Sequence, residues 1–279
     1  MTQPGELRRP GTEAGRTALD RVLASPRQTL LATDFDGTLA PIVADPSTAF
    51  ADPGAAHMLG RLAQWLGGVA VVTGRPVRDV LRLGGFEGAS GLGRLRILGQ
   101  YGVERWGAAT GAVSAPDPHP GIDRLRRRLP DLLAELGLGD VHIEDKGLAL
   151  GLHVRRLADP DGALDRLREP VAALADEHGL LVEPGKLVLE LRAPGTDKGR
   201  AIESLLAGTD LDTVVYAGDD RGDLAAVSAV ERLRSGGGAG LVIAVGAAPA
   251  ELAERADLAV DSPAELVAWF SWLADALET

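Results

Sequence analysis

Leu30-Leu31-Ala32-Thr33-Asp34-Phe35-Asp36-Gly37-Thr38-Leu39 is the stretch whose reading decides the fold. A short apolar run ends in Thr33, and two carboxylates then follow two residues apart. A run of this length bounded by Asp and Gly reads as a buried strand passing into a tight turn. On an extended backbone, residues two apart point the same way. Asp34 and Asp36 therefore project together from the carboxyl end of a strand, the end at which open α/β sheets bind ligands. Converging carboxylates repel, and they need a cation, a shared proton or a phosphate-handling site around them. The plainer reading is an ordinary Asp-Gly turn, and the surrounding chain decides between the two.

Working outward, Thr17 to Ala24 reads as a short helix before this strand, and the residues before Thr17 as a frayed terminus without fold information. Pro53 opens a helix through Leu66, with Met58, Leu59, Leu62 and Leu66 at helical spacing. Val69-Ala70-Val71-Val72 is a second β-branched strand, ending in Thr73-Gly74-Arg75-Pro76 before a further helix. Strand, helix, strand and helix at these lengths indicate βαβ units and a parallel sheet. Thr73 thus stands where Asp34 stands, at a strand end. A hydroxyl and backbone N–H groups at a helix start suit a phosphate oxygen, although a plain N-cap has the same look. The strand Arg96 to Gly99 follows, then Gln100-Tyr101-Gly102-Val103-Glu104.

From Arg105 to Arg192 the pattern changes to a separate α/β layer. A helix over Gly121–Leu136 and another over Asp161–His178 alternate with segments that read as strands, Val141–Lys146, Leu148–Arg155, Leu181–Lys186 and Leu187–Leu191. The last part returns to the first pattern. Lys198 sits just before a helix, and the strand Thr213–Ala217 ends in Gly218-Asp219-Asp220-Arg221-Gly222-Asp223. Three carboxylates in five residues need positive charge among them. A hard divalent cation such as Mg²⁺ suits this oxygen-only set. The expected organisation is residues 1–16 as a disordered terminus, 17–104 and 193–279 as one core, and 105–192 as an inserted domain.

The chain has 279 residues, 45% hydrophobic and 25% charged, with a net charge of −11 and no cysteine. This composition fits one large or two modest globular domains. The acidity argues against nucleic-acid and anionic-membrane partners. The absence of cysteine excludes disulfides and thiolate catalysis. No signal-peptide or membrane-length apolar run is evident, so a cytoplasmic monomer is expected.

Taken together, Asp34, Asp36, Thr73, Lys198, Asp219 and Asp223 offer a nucleophile, a second carboxylate for proton work, a hydroxyl, a cation and metal ligands. That set suits phosphoryl transfer through an aspartyl-phosphate. In order and spacing, Asp34-Phe35-Asp36-Gly37-Thr38, Thr73, Lys198 and Gly218-Asp219-Asp220 through Asp223 resemble the four motifs of haloacid dehalogenase-type phosphatases. A cap-sized insert lies between the second and third. More narrowly, the chain resembles the trehalose-6-phosphate phosphatases. The stretches that carry this are Asp36 to Ile42, Gly99 to Glu104, Glu144-Asp145-Lys146-Gly147 with His153 and Arg155, Glu190-Leu191-Arg192, and Asp197-Lys198-Gly199.

The resemblance implies a Rossmann-like parallel-sheet core with a smaller inserted α/β cap. It also implies hydrolysis of trehalose 6-phosphate, with Asp34 as nucleophile and Asp36 as acid and base. Mg²⁺ is implied on Asp34, Asp36, Asp219 and Asp223. Thr73 and Lys198 would hold the phosphate, and Thr38, Gly74, Arg75, Glu144, Lys146 and Glu183 would contact the substrate. His153 reads as a packed strand residue. Gly222-Asp223-Leu224 stands where the family carries Thr-Asp-Glu. That departure leaves open a sister enzyme acting on glucosyl- or mannosyl-3-phosphoglycerate. A non-catalytic regulatory domain of the same fold is the reading from a different class.

Overall fold

The computed structural model describes residues 9–185 and 187–279. Its helices are α1 (Glu13–Ala24), α2 (Ala55–Trp65), α3 (Val77–Gly84), α4 (Pro120–Glu135), α5 (Pro160–Glu177), α6 (Lys198–Leu206), α7 (Leu224–Ser235), α8 (Ala250–Ala253) and α9 (Pro263–Leu277). Its strands are β1 (Thr29–Thr33), β2 (Gly68–Val72), β3 (Leu95–Gly99), β4 (Glu104–Gly107), β5 (Val113–Ser114), β6 (His142–Asp145), β7 (Ala149–His153), β8 (Leu181–Gly185), β9 (Val188–Arg192), β10 (Thr213–Gly218), β11 (Ala239–Val245) and β12 (Leu258–Val260). The chain divides into two compact units, one running up to Ala115 and resuming over Asp197–Thr279, the other spanning Pro116–Thr196.

In the larger unit the strand order is β12-β11-β10-β1-β2-β3-β4-β5. Pairing is parallel from β12 to β3 and antiparallel from β3 to β5. Every residue of β1, β10 and β11 is buried, as expected for strands covered on both faces. Alternation assigns the faces. Leu31, Val71, Val215 and Ile243 pack with Val22, Leu59 and Phe270 of α1, α2 and α9. Leu30, Ala32, Val214, Tyr216 and Val242 pack with Ile202, Leu205 and Val227 of α6 and α7. Because β1, β2 and β10 run parallel and in neighbouring register, their carboxyl ends open at one edge of the sheet.

Three boundaries differ from those read in the sequence. Helix α1 begins at Glu13, inside the segment expected to be frayed, because Thr12 caps it. The Thr12 hydroxyl accepts from Gly15 N–H at 2.9 Å and donates to the buried carboxylate of Asp257. Residues 1–8 of that expected terminus lie outside the described residues, as does Lys186. The insert starts after Arg105, because β4 and β5 extend the large sheet as antiparallel edge strands. It closes at Thr196, whose carbonyl accepts from Arg192 Nη1 at 2.5 Å.

The smaller unit is an antiparallel sheet, β6-β7-β9-β8. One face carries Leu150, Leu152, Leu189 and Leu191 against Ile122, Leu125, Leu129, Leu167 and Val171 of α4 and α5. The other face is polar, with Glu144, Gly151, Glu190 and Glu183 aligned across the four strands. No helix among the described residues is long and apolar enough to cross a membrane.

Candidate active site

Strand β1 delivers Asp34, 4% exposed, to the carboxyl edge of the sheet, and the adjacent strand β10 delivers the turn that follows Gly218. Lys198, the first residue of α6, lies between them. Its ammonium stands 3.0 Å from Asp34 Oδ1 and 2.7 Å from Asp223 Oδ1. Asp223 is fully buried. Its Oδ1 also accepts from the Tyr216 hydroxyl at 2.5 Å, and its Oδ2 accepts from the N–H groups of Asp219 and Asp220 at 2.8 and 3.0 Å. With both oxygens engaged by four donors, Asp223 fixes Lys198 and the acidic turn in place.

The charges in this cluster do not balance. Burial pushes the Asp34 carboxyl well above its usual range; Lys198 opposes the rise, and Asp223, Asp219 and Asp220 add to it. Burial, then Asp223 and Asp220, push Asp219 up to about 7. Burial works against the charge on Lys198, yet Asp223 and Asp34 outweigh it and hold the ammonium well above its ordinary value. One lysine among four aspartates leaves an excess of negative charge, which is the condition a cation relieves. Carboxylate oxygens of Asp34, Asp220 and Asp223 lie within 4.8 Å of one another. An all-oxygen set of this kind fits a hard divalent ion.

Of the expected ligand set Asp34, Asp36, Asp219 and Asp223, the structure brings carboxylate oxygens of Asp34 and Asp223 together, with Asp220 beside them; both Asp223 oxygens also accept from protein donors. The Asp219 carboxylate turns toward the loop after β1, where Thr38 Oγ1 donates to its Oδ1 at 3.2 Å. Gly37 is required beneath it, since φ is +75° and a Cβ there would fall 1.9 Å from Asp219 Oδ2. Thr38, expected at the substrate, is fully buried, and its hydroxyl is engaged with Asp219. Arg75 Nε and Nη2 donate to the two carboxylate oxygens of Asp36, each at 2.6 Å, in a bidentate pair of the strong, charge-assisted kind.

Thr73 ends β2 at the same edge, 1% exposed. Its Oγ1 accepts from Arg75 N–H at 3.2 Å, so the hydroxyl proton points elsewhere and can donate to a ligand. Gly74 lies under the ring of Tyr101, whose hydroxyl oxygen would stand 2.8 Å from a Cβ added there.

In the smaller unit, Lys146 Nζ donates to Glu190 Oε2 at 2.6 Å. Glu183 pairs with Arg192 at 2.7 Å and Glu144 with His153 Nε2 at 2.8 Å. His153 is thus a hydrogen-bond partner on the polar face, not the packed residue expected. Glu190 was absent from the expected contacts. Its sign in the sequence is a carboxylate inside the apolar run Leu187 to Leu191, and in the structure it is 6% exposed with Oε1 buried and unpartnered.

Comparisons with known proteins identify the family. Residues 32–262 match the family model for trehalose-phosphatase. A trehalose-phosphate phosphatase of Mycobacterium avium is 34% identical over 256 residues, covering 88% of this chain and 62% of that protein. An uncharacterized glycosyl hydrolase of Mycobacterium tuberculosis is 34% identical over 229 residues, 76% of this chain but 16% of that protein. The chain thus spans less than two thirds of these curated relatives. The C-terminal domain of Candida albicans trehalose-6-phosphate phosphatase superposes with a TM-score of 0.77 at 20% identity, covering 97% of this chain and 99% of that one, which shows the fold. A parallel sheet with an acidic edge, an inserted four-stranded sheet, and a family match over most of the sequence together place this chain in the trehalose-phosphatase family.

Proposed function

We propose that this chain is a Mg²⁺-dependent phosphatase that hydrolyses trehalose 6-phosphate through an aspartyl-phosphate on Asp34. The observation that carries the reading is the Lys198 ammonium held between Asp34 and Asp223, at 3.0 and 2.7 Å, where the strands of a trehalose-phosphatase fold end. Asp34, fixed by Lys198, attacks phosphorus. The O–P bond to the sugar breaks, and Asp36 gives the departing oxygen its proton. Asp36 then takes a proton from the water that splits the aspartyl-phosphate, regenerating Asp34 and releasing phosphate. Lys198 and the Thr73 hydroxyl compensate charge on the phosphoryl oxygens. Arg75 holds the Asp36 carboxylate by two bonds, so this pair must open before proton transfer. Asp34 and Asp220 would hold the cation, which when bound supplies further charge compensation at the phosphoryl group. Glu144, Lys146 and Glu190 bind sugar hydroxyls, with Glu183 serving to orient Arg192.

The test is phosphate release from trehalose 6-phosphate, glucose 6-phosphate and the glucosyl- and mannosyl-3-phosphoglycerates, with Mg²⁺ and with EDTA. The reading expects trehalose 6-phosphate to be preferred and EDTA to abolish turnover. Preference for a phosphoglycerate moves the chain to the sister activity, and turnover in EDTA removes the metal from the account. In the same preparation, Mg²⁺ at a hundred times its Kd adds about 2.7 kcal/mol of stability, seen in differential scanning fluorimetry as a rise of roughly 5–10 °C. Asp34→Asn is expected to reduce that rise. Glu144→Gln, which removes a partly exposed charge, is expected to raise KM for trehalose 6-phosphate about tenfold with little change in melting temperature, as loss of a charged hydrogen bond implies.

A further inference from the structure

The loop after β3 holds an unusual backbone. Among the described residues, Gln100 (φ +47°) and Tyr101 (φ +60°) are adjacent non-glycine residues in the left-handed region, and Gly102 (φ +95°) follows. Bulky residues rarely sit there, and such strain persists only where the surroundings dictate it. Here they do. Gln100 N–H donates to Arg75 O and Tyr101 N–H to Thr73 O, both at 2.9 Å. Gln100 Nε2 donates to Glu104 Oε1 at 2.9 Å, and Glu104 Oε2 accepts from Val77 N–H at the start of α3 at 2.6 Å. On the other side, a Cβ at Gly102 would stand 3.1 Å from the Cβ of Ala201, one turn beyond Lys198. The loop is a wedge between the Thr73-Gly74-Arg75 turn and the helix that carries Lys198.

The bond that ties Tyr101 to Thr73 O is made by its backbone N–H, and asparagine or glycine takes a left-handed φ at lower cost. The tyrosine instead brings a half-buried phenol over Gly74, its hydroxyl oxygen 2.8 Å and its Cζ 2.9 Å from where a Cβ would lie. That puts ring and hydroxyl at the turn whose neighbours are the Thr73 hydroxyl and the arginine on Asp36. The geometry points to Tyr101 as a substrate-contact residue. Its ring walls the phosphate site on the Gly74 side, and its hydroxyl hydrogen-bonds the sugar that bears the ester. The assignment rests on the reading that Thr73 and Lys198 hold the phosphate.

Two variants separate ring, hydroxyl and backbone. Tyr101→Asn keeps a residue tolerant of the left-handed φ and deletes the phenol; Tyr101→Phe deletes the hydroxyl alone. KM and kcat are measured for trehalose 6-phosphate and for acetyl phosphate, which carries a phosphoryl group but no sugar, together with the melting temperature. Tyr101→Phe should raise KM for trehalose 6-phosphate about 3–10-fold, the range for one neutral hydrogen bond. Tyr101→Asn should raise it roughly 10–100-fold, as loss of an aromatic contact is added. The change on acetyl phosphate should be at least about ten times smaller, and Tyr101→Asn should melt no lower than wild type. Equal losses on both substrates, or no loss for Tyr101→Asn, would overturn the assignment and leave the residue a packing element. A wild type that turns over acetyl phosphate but no sugar phosphate sinks the proposed function itself, a different failure from the first.

Discussion

Asp34→Asn is expected to lower phosphate release from trehalose 6-phosphate by about 10⁴-fold or more, the scale seen when a covalent nucleophile is removed. An amide cannot form the acyl phosphate. Among the neighbouring carboxylates, Asp223 is saturated by four protein donors, Asp36 is bound to Arg75, Asp219 is turned toward Thr38, and Asp220 caps its own turn through Gly222 N–H. The same substitution should not destabilise the fold. Asp34 is buried among like charges that push its carboxyl upward, so a neutral amide of the same shape relieves repulsion. A melting temperature at or above that of wild type without metal, measured beside the rate, separates lost chemistry from lost structure. A variant as fast as wild type would end the covalent mechanism.

That outcome was partly legible in the sequence. The apolar runs of β1, β2, β10 and β11, each followed by Asp, Thr or Gly, announced a parallel sheet whose strand ends carry chemistry, because fully buried strands have no polar alternation to hide. Lys198 and Asp34 could be paired from motif order alone. The side-chain directions within the turns could not. Asp219 and Asp220 are adjacent, and only the three-residue helical turn Arg221–Asp223, capped by Asp220, decides which carboxylate faces Asp34. Asp36 lies 39 residues from Arg75, a separation across which sequence carries no geometric information. In the insert, Glu183 and Glu190 are direct cross-strand partners, and the partners that set them apart, Arg192 for the first and Lys146 for the second, come from strand pairings the sequence does not carry. The left-handed backbone at Gln100 and Tyr101 had no sequence sign, since neither is glycine or asparagine.

Lys198→Met should have the largest effect on stability. The substitution keeps an unbranched chain but removes the ammonium from between two buried carboxylates. Breaking a buried pair from one side leaves uncompensated charge and costs about 3–5 kcal/mol. Thermal unfolding should therefore fall by roughly 10 °C or more. Activity should fall as well, by about 10²–10³-fold, the loss seen when one preorganised donor to a developing oxyanion is deleted. The double variant Asp34→Asn with Lys198→Met should recover part of the melting temperature without recovering activity, because one of the stranded carboxylates is gone. A single variant that melts with wild type would show that Lys198 is not the counter-charge of this cluster. Mg²⁺ should raise the melting temperature of Lys198→Met, since the cation then meets more unbalanced negative charge.

The central claim is covalent: phosphate passes onto Asp34. Enzyme turning over trehalose 6-phosphate is quenched in acid, treated with borohydride to reduce any acyl phosphate, digested and read by mass spectrometry. Homoserine at position 34, dependent on substrate and missing from the other aspartates of the cluster, is the result expected. Homoserine at another aspartate, or none at any of them while phosphate is being released, would contradict the account.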